Sequence, residues 1–269
     1  QTPLINHNYS IIEKKKVNTE FLKSNLENWL NIFTTDLKIL NITNSIKSRT
    51  KSLKDFATVS QGLIPYDKYR GHSEETIKNR IWHSEIQKDD TFKRELKGGD
   101  VGKYSLNWNG KLWISYGSWL AAPRRQDFFT KPRILIREIT NPYILATYTE
   151  EEYYNTPPII NIIEFKEIKP LSLLGIINSK LISFYHTYTS PKANKGLFPK
   201  ILVDDVRNLP IIDLEEENYD KIELFVSKII INKENALDTT LLENELDELI
   251  YDLYELTEEE KEVIRNFGK

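Results

Sequence analysis

The 269-residue chain contains no cysteine and no methionine, and only four histidines. Without cysteine there can be no disulfide and no thiolate metal site, a composition that fits a cytoplasmic protein. The histidines, His7, His72, His83 and His186, are scattered. No two lie at helical i, i+4 spacing and no HExxH occurs, so the usual imidazole signature of a zinc enzyme is missing. Nor is there a Walker A loop, a GxGxxG turn or a GxSxG nucleophile elbow. No window reaches the ~18 uninterrupted apolar residues of a membrane-spanning helix. The opening QTPLINHNYS lacks the basic-then-apolar order of a secretory leader. These absences predict a chain that does no covalent chemistry itself, holds no metal and has no membrane partner. The start on Gln1 rather than Met suggests a fragment of a longer chain or an incomplete sequence record.

Hydrophobic residues make up 39% and charged residues 29%, enough for a packed core. The net charge of −3 conceals an asymmetry. Residues 1–200 hold 30 Lys and Arg against 20 Asp and Glu, a balance of +10; residues 201–269 hold 7 against 20, a balance of −13. The first part can face a polyanion, whereas the tail is unsuited to one.

Periodicity predicts an α+β fold: a β-rich platform flanked by an N-terminal helical segment and a C-terminal acidic helical hairpin. Phe21, Leu22, Leu26, Trp29, Leu30 and Phe33 recur at helical spacing, followed by Leu37 to Ile46 and a basic run, Lys47 to Lys54. KLWISYG, RILIREI, YILATYT and IINIIEF are β-branched and aromatic runs separated by Gly, Pro, Asn and Asp, the grammar of strands. Residues 171–189 return to a helical period. ILVDDVRNLPII reads as one or two short strands, with Asp204-Asp205 at a turn or helix cap. Beyond Asp213 two apolar stripes, Ile222 to Ile229 and Leu242 to Leu253, predict helices, and Thr257–Glu260 is a capping box. The divisions expected are 1–52, a linker and helical segment; 53–212, the β-rich domain; and 213–269, a helical subdomain.

The stretch Leu96–Arg125 concentrates three tryptophans, two tyrosines and five basic residues around a single acid, Asp100. Asn109-Gly110 predicts a two-residue hairpin with Trp108 opposite Lys111, its rings building the platform. Arg and Lys pair with phosphates, Arg can fork onto guanine, and amides can read adenine. The candidate DNA-contact residues are therefore Arg70, Lys78, Arg80, Lys97, Lys103, Arg124, Arg125, Gln126, Lys192 and Lys195, with Lys131–Arg133 a further basic cluster. Two rival readings remain. Glu164-Phe165-Lys166 has the E-x-K spacing of metal-dependent nucleases but lacks a suitably placed upstream Asp, and the acidic tail could serve a protein-interaction module.

The ordered series LKDFATVSQGL, LKGGDVGKY, LWISYG, RILIREIT, LLGIINSKLISFYHTY, GLFPKILVDDVRNLPI and ELDELIYDLYELTEEEKEVI resembles the TaqI-like C-terminal specificity domain. The likeness runs in detail over residues 53–212 and in outline over 20–269. It implies a target-recognition module of adenine-specific DNA methyltransferases, including single-chain type II restriction–modification enzymes of phage defence. Its partners would be double-stranded DNA and an upstream methyltransferase domain of the same chain. S-adenosylmethionine would belong to that upstream domain, with no cofactor in this fragment. The catalytic Asn/Asp-Pro-Pro-aromatic motif of such enzymes is not matched by NTPPI, Asn155–Ile159, which reads as a loop entering a strand.

Overall fold

The structure, a computed structural model, describes residues 2–5, 11–15, 36–140, 142–190, 193 and 199–268. The helix expected around Trp29, and both Lys192 and Lys195, lie outside the described residues. In chain order the elements are β1 (Thr2–Ile5), β2 (Ile11–Lys15), α1 (Leu37–Ser48), β3 (Lys51–Ser52), β4 (Thr58–Gln61), α2 (Glu74–Lys78), β5 (His83–Ser84), β6 (Phe92–Leu96), β7 (Val101–Gly102), β8 (Ser105–Leu106) and β9 (Trp113–Ser115). Then come α3 (Asp127–Thr130), β10 (Arg133–Arg137), β11 (Ala146–Thr149), β12 (Tyr154–Asn155), β13 (Ile159–Ile163), α4 (Pro170–Asn178), α5 (Lys180–Thr189), α6 (Val203–Arg207), β14 (Pro210–Ile211), α7 (Glu216–Glu234), α8 (Thr240–Leu253) and α9 (Glu258–Arg265). The fold is α+β, with helices at both flanks of the sheets. No helix among the described residues is long and apolar enough to cross a membrane.

The larger sheet runs β11-β10-β13-β4 with antiparallel neighbours. Side chains alternate across a strand, and here both faces are apolar. Val59, Ile134, Ile136, Ala146, Ile160 and Ile162 face a core built with α1, α4, α5, α7, α8 and α9. Leu135, Ile159 and Ile163 face two smaller clusters on the other side. This explains why β13 reads as an almost unbroken apolar run and is buried at every position. The smaller sheet runs β12-β6-β9-β5.

Helix α4 packs closely on α7 because Gly175 leaves room: a Cβ there would sit 2.8 Å from methyls of Ile222 and Val226. The helical period over 171–189 is split into two helices at Ser179. Its backbone is extended (ψ 153°), its hydroxyl donates to the Ile176 carbonyl at 2.7 Å, and it accepts from the Ile182 amide at 3.3 Å. One serine thus closes one helix and caps the next. In ILVDDVRNLPII a helix replaces the first expected strand, because the Asp205 carboxylate caps the Leu202 amide at 2.8 Å; only Pro210–Ile211 pairs as a strand. The capping box at Thr257–Glu260 forms, and it starts a third helix, α9, beyond the expected hairpin.

Asn109-Gly110 does turn, with Gly110 at φ +78° and the Asn109 side chain accepting from the Lys111 amide at 2.9 Å. It closes no two-stranded hairpin. The strand that follows, β9, is taken by β5 and β6, and Leu112 O accepts from Glu95 N. Trp108 nevertheless builds the platform, edge-on to Trp113 at 5.4 Å and packed on Tyr153 at 6.1 Å.

Candidate nucleic-acid interface

Two loops leave the ends of β4 and β9 and are tied together through their backbones. Ile64 and Ala122 exchange hydrogen bonds of 2.8 and 2.9 Å, and Leu63 N donates to Asn155 O at 2.9 Å. Gly62 permits this approach, since a Cβ would lie 2.3 Å from the Asn155 carbonyl. Beneath the loops Leu63, Leu120, Phe128, Phe129 and Tyr154 form a small core, with Tyr154 4.7 Å from both Tyr116 and Phe129. The loops therefore rest on rings rather than on water, and their upper surface is held in place.

Arg124 sits in the second loop at φ +64°, a left-handed conformation that costs an L-residue about 1–2 kcal/mol. Its carbonyl accepts from the Tyr116 hydroxyl at 2.9 Å and its Nε donates to Gly62 O at 3.4 Å, which fix the turn. Arg125 is exposed, stands 5.2 Å over the Phe128 ring and meets Glu164 Oε1 at 2.5 Å. The Thr58 hydroxyl, and then Arg125, hold the Glu164 carboxyl below its ordinary range. Gln126 is exposed, with its amide 3.3 Å from the Tyr154 hydroxyl.

The first loop carries the Asp67–His72 turn. Arg70 Nη1 donates to Ala121 O at 2.7 Å, bringing Arg70 beside the Arg124 loop. His72 Nδ1 accepts from the Asp67 amide at 3.3 Å, so its Nε2 carries the proton and donates to Trp119 O at 2.9 Å. Behind them Tyr66 bonds His83 Nδ1 at 2.8 Å, and His83 Nε2 lies 3.4 Å from the buried Glu95 carboxylate. Lys78 and Arg80 follow at the end of α2, both exposed and without an ion pair among the described residues. Sequence reasoning passed over two exposed rings here, Tyr69 (87% exposed) and Trp119 (37%). The only signal for Tyr69 was an aromatic residue between two cations in a glycine-ended turn, DKYRGH.

The remaining candidates separate. Lys97 is exposed at the start of the Gly98–Asp100 turn, where the stretch's one acid is engaged: Asp100 accepts from the Lys97 amide at 2.7 Å. Lys103 Nζ meets Glu243 of α8 at 2.7 Å, on the helical side. Arg133 is no surface cation. It is fully buried, donates to the carbonyls of Lys131, Glu151 and Tyr153, and is pulled down to about 10 by burial. Asn155 is buried too, its amide bracing Ile159 O at 2.9 Å, so NTPPI presents no exposed amide. No three His, Asp or Glu among the described residues are grouped to hold a metal ion.

Away from the loops, a polar cavity of about 420 Å³ opens among Lys47, Thr50, Tyr185, His186, Ser190 and Asp205. Burial pulls the His186 imidazole below its ordinary value against the opposing field of Asp205, and its Nε2 has no hydrogen-bond partner among the described residues.

Residues 93–211 match the family described as the TaqI-like C-terminal specificity domain, a span that includes Lys97 and Arg124–Gln126 but not Arg70, Lys78 or Arg80. A protein of Methanocaldococcus jannaschii named as a type II restriction enzyme and methyltransferase is 28% identical over 165 residues, 58% of this chain and 14% of that protein. The type IIG restriction endonuclease BpuSI shares the fold, with a TM-score of 0.50 at 11% identity over 86% of this chain and 35% of its own. The type IIL restriction–modification enzyme MmeI, solved in complex with DNA, aligns with a TM-score of 0.48 at 13% identity over 75% of this chain and 33% of its own. The chain thus spans only a minor part of each of these relatives.

Proposed function

We propose, from the TaqI-like C-terminal specificity domain that this chain carries over residues 93–211, that it recognises duplex DNA as the target-reading part of an adenine-specific methyltransferase or restriction–modification enzyme. The observation that carries the reading is the coincidence of the family match with the fastened loop bearing Arg124, Arg125 and Gln126. Arg124 and Arg125 offer forked donors, and Gln126 offers the amide geometry that pairs with adenine. Arg70 stands beside them through its bond to Ala121 O, and with Lys78, Arg80 and Lys97 it makes phosphate contacts that set position without reading sequence. Methyl transfer, and the S-adenosylmethionine it requires, belong in this reading to a methyltransferase domain upstream in the same chain. The acidic helices pack on the platform and keep negative charge away from the loops.

The test is a titration of this chain with duplexes recovered from a random pool, at two salt concentrations. Each base-reading side chain should cost about 1–3 kcal/mol when removed, and each phosphate-contacting one should lower the salt slope by about one. Affinity that ignores salt, or survives Arg124→Ala with Arg125→Ala unchanged, overturns the reading. Mg²⁺-dependent cleavage abolished by Glu164→Ala would replace it with a nuclease.

A further inference from the structure

The turn from Asp67 to His72 combines two properties that seldom coincide: it is tightly held and it exposes a large ring. Asp67 caps the turn, its carboxylate accepting from the Tyr69 amide at 2.8 Å and its carbonyl from the Arg70 amide at 3.1 Å. Gly71, at φ +90°, ends the turn in a conformation other residues resist. Arg70 and His72 then pin it to the carbonyls of Ala121 and Trp119 on the neighbouring loop. Tyr69 projects from this frame 87% exposed, the Lys68 ammonium 4.9 Å from its ring centroid. The cations Lys68 and Arg70 flank it in the turn, and Arg80 lies close enough to act on the Tyr66 hydroxyl at the base of the loop. Asp67 is engaged within the turn, and Glu74 and Glu75 open α2, Glu74 one helical turn from Lys78.

An apolar ring held outward by a rigid turn does little for the fold, and cations around it favour a polyanionic partner over an acidic or neutral protein. A partner that offers both phosphates and flat faces is nucleic acid. We propose that Tyr69 stacks on a base at a step that the bound duplex opens, as a contact outside the family-matched span. The proposal rests on the DNA-recognition reading and adds to it an aromatic contact that is independent of phosphate charge. The turn is already fastened, so little ordering is needed when the ring engages.

The experiment uses this chain with duplexes recovered from a random pool on the wild-type protein, including copies carrying 5-bromouracil for photocrosslinking. Tyr69→Ala should weaken binding about tenfold, as loss of one base–aromatic stack does, while leaving the salt slope unchanged. Tyr69→Phe should keep wild-type affinity, and a crosslinked peptide should contain residue 69. Tyr69→Ala within twofold of wild type, a changed salt slope, or crosslinks confined to other peptides overturns the stacking contact while DNA recognition stands; the ring would then face a protein. If the wild-type chain recovers no duplex, both readings fall.

Discussion

On the helix-covered face of the large sheet, Arg49, Lys51, Lys103, Lys169 and Lys180 each meet a carboxylate of the acidic tail, from Asp213 to Glu255. On the loop edge of the small sheet, Lys78, Arg80 and Lys97 meet none among the described residues. The surplus of +10 in residues 1–200 is therefore unevenly available. Tail acids neutralise several cations near the helices, while at the loops Arg70 and Arg125 pair locally and Lys78, Arg80 and Lys97 have no ion pair among the described residues. A charge count along the chain cannot separate these two populations, whereas ion pairing in space does.

The comparison breaks most readily on the helical side. Phe184, 1% exposed in the main core, should lose about 3–5 kcal/mol of stability on replacement by Ala, read by chemical denaturation, with the salt slope of DNA binding by the folded fraction unchanged. Lys103→Ala should cost roughly 1–2 kcal/mol, because Glu243 loses a short charged contact and keeps only Lys233 and Thr239. If Lys103→Ala instead weakens DNA binding at full stability, Lys103 belongs with the loop cations.

A pH series sharpens the contrast further. Burial favours the neutral form of His186, so its folded pKa lies below the ordinary 6.5 and the unfolded chain binds the proton more readily. Stability from this group should be complete above about 6.5 and decline as pH falls toward the folded value. His186→Gln should flatten that decline, read as the urea midpoint between pH 7 and 5. The smallest effect belongs to the loop edge. Glu164→Gln should release Arg125 and raise DNA affinity about twofold to fivefold, with the melting temperature almost unmoved, as for other exposed pairs.

Features set by local chemistry were legible in the sequence. The Thr257–Glu260 capping box, the strands RILIREI and IINIIEF, and the stripe Ile222–Val226–Ile229 all appear where spacing places them. What escaped depends on distant competitors. Asn109-Gly110 favours a hairpin, yet β9 gains more partners between β5 and β6. The break at Ser179 turns on one hydroxyl serving two helix ends. In the candidate site, Arg124, Arg125 and Gln126 could be singled out from their adjacency after Pro123. That Lys103 meets an acid on α8, or that Arg133 points into carbonyls, is settled only by the fold. Tyr69 escaped because a lone ring in a polar loop carries no periodic signature.

The stitching of the two loops has an evolutionary consequence. Ile64 and Ala122 of the two loops, and Leu63 and Asn155 of β12, are joined main chain to main chain, so these ties are indifferent to the exposed side chains nearby. Such a surface can be rewritten one residue at a time while its scaffold is inherited intact, and new preferences can arise without passing through unfolded ancestors. Arg124 is constrained along with the buried Leu120, Ala121 and Ala122: its left-handed backbone admits few replacements beyond glycine and asparagine. Diversification should therefore be broad at exposed Arg125 and Gln126 and narrow at Leu120–Ala122 and Arg124, a pattern a saturation library of residues 118–126 would expose.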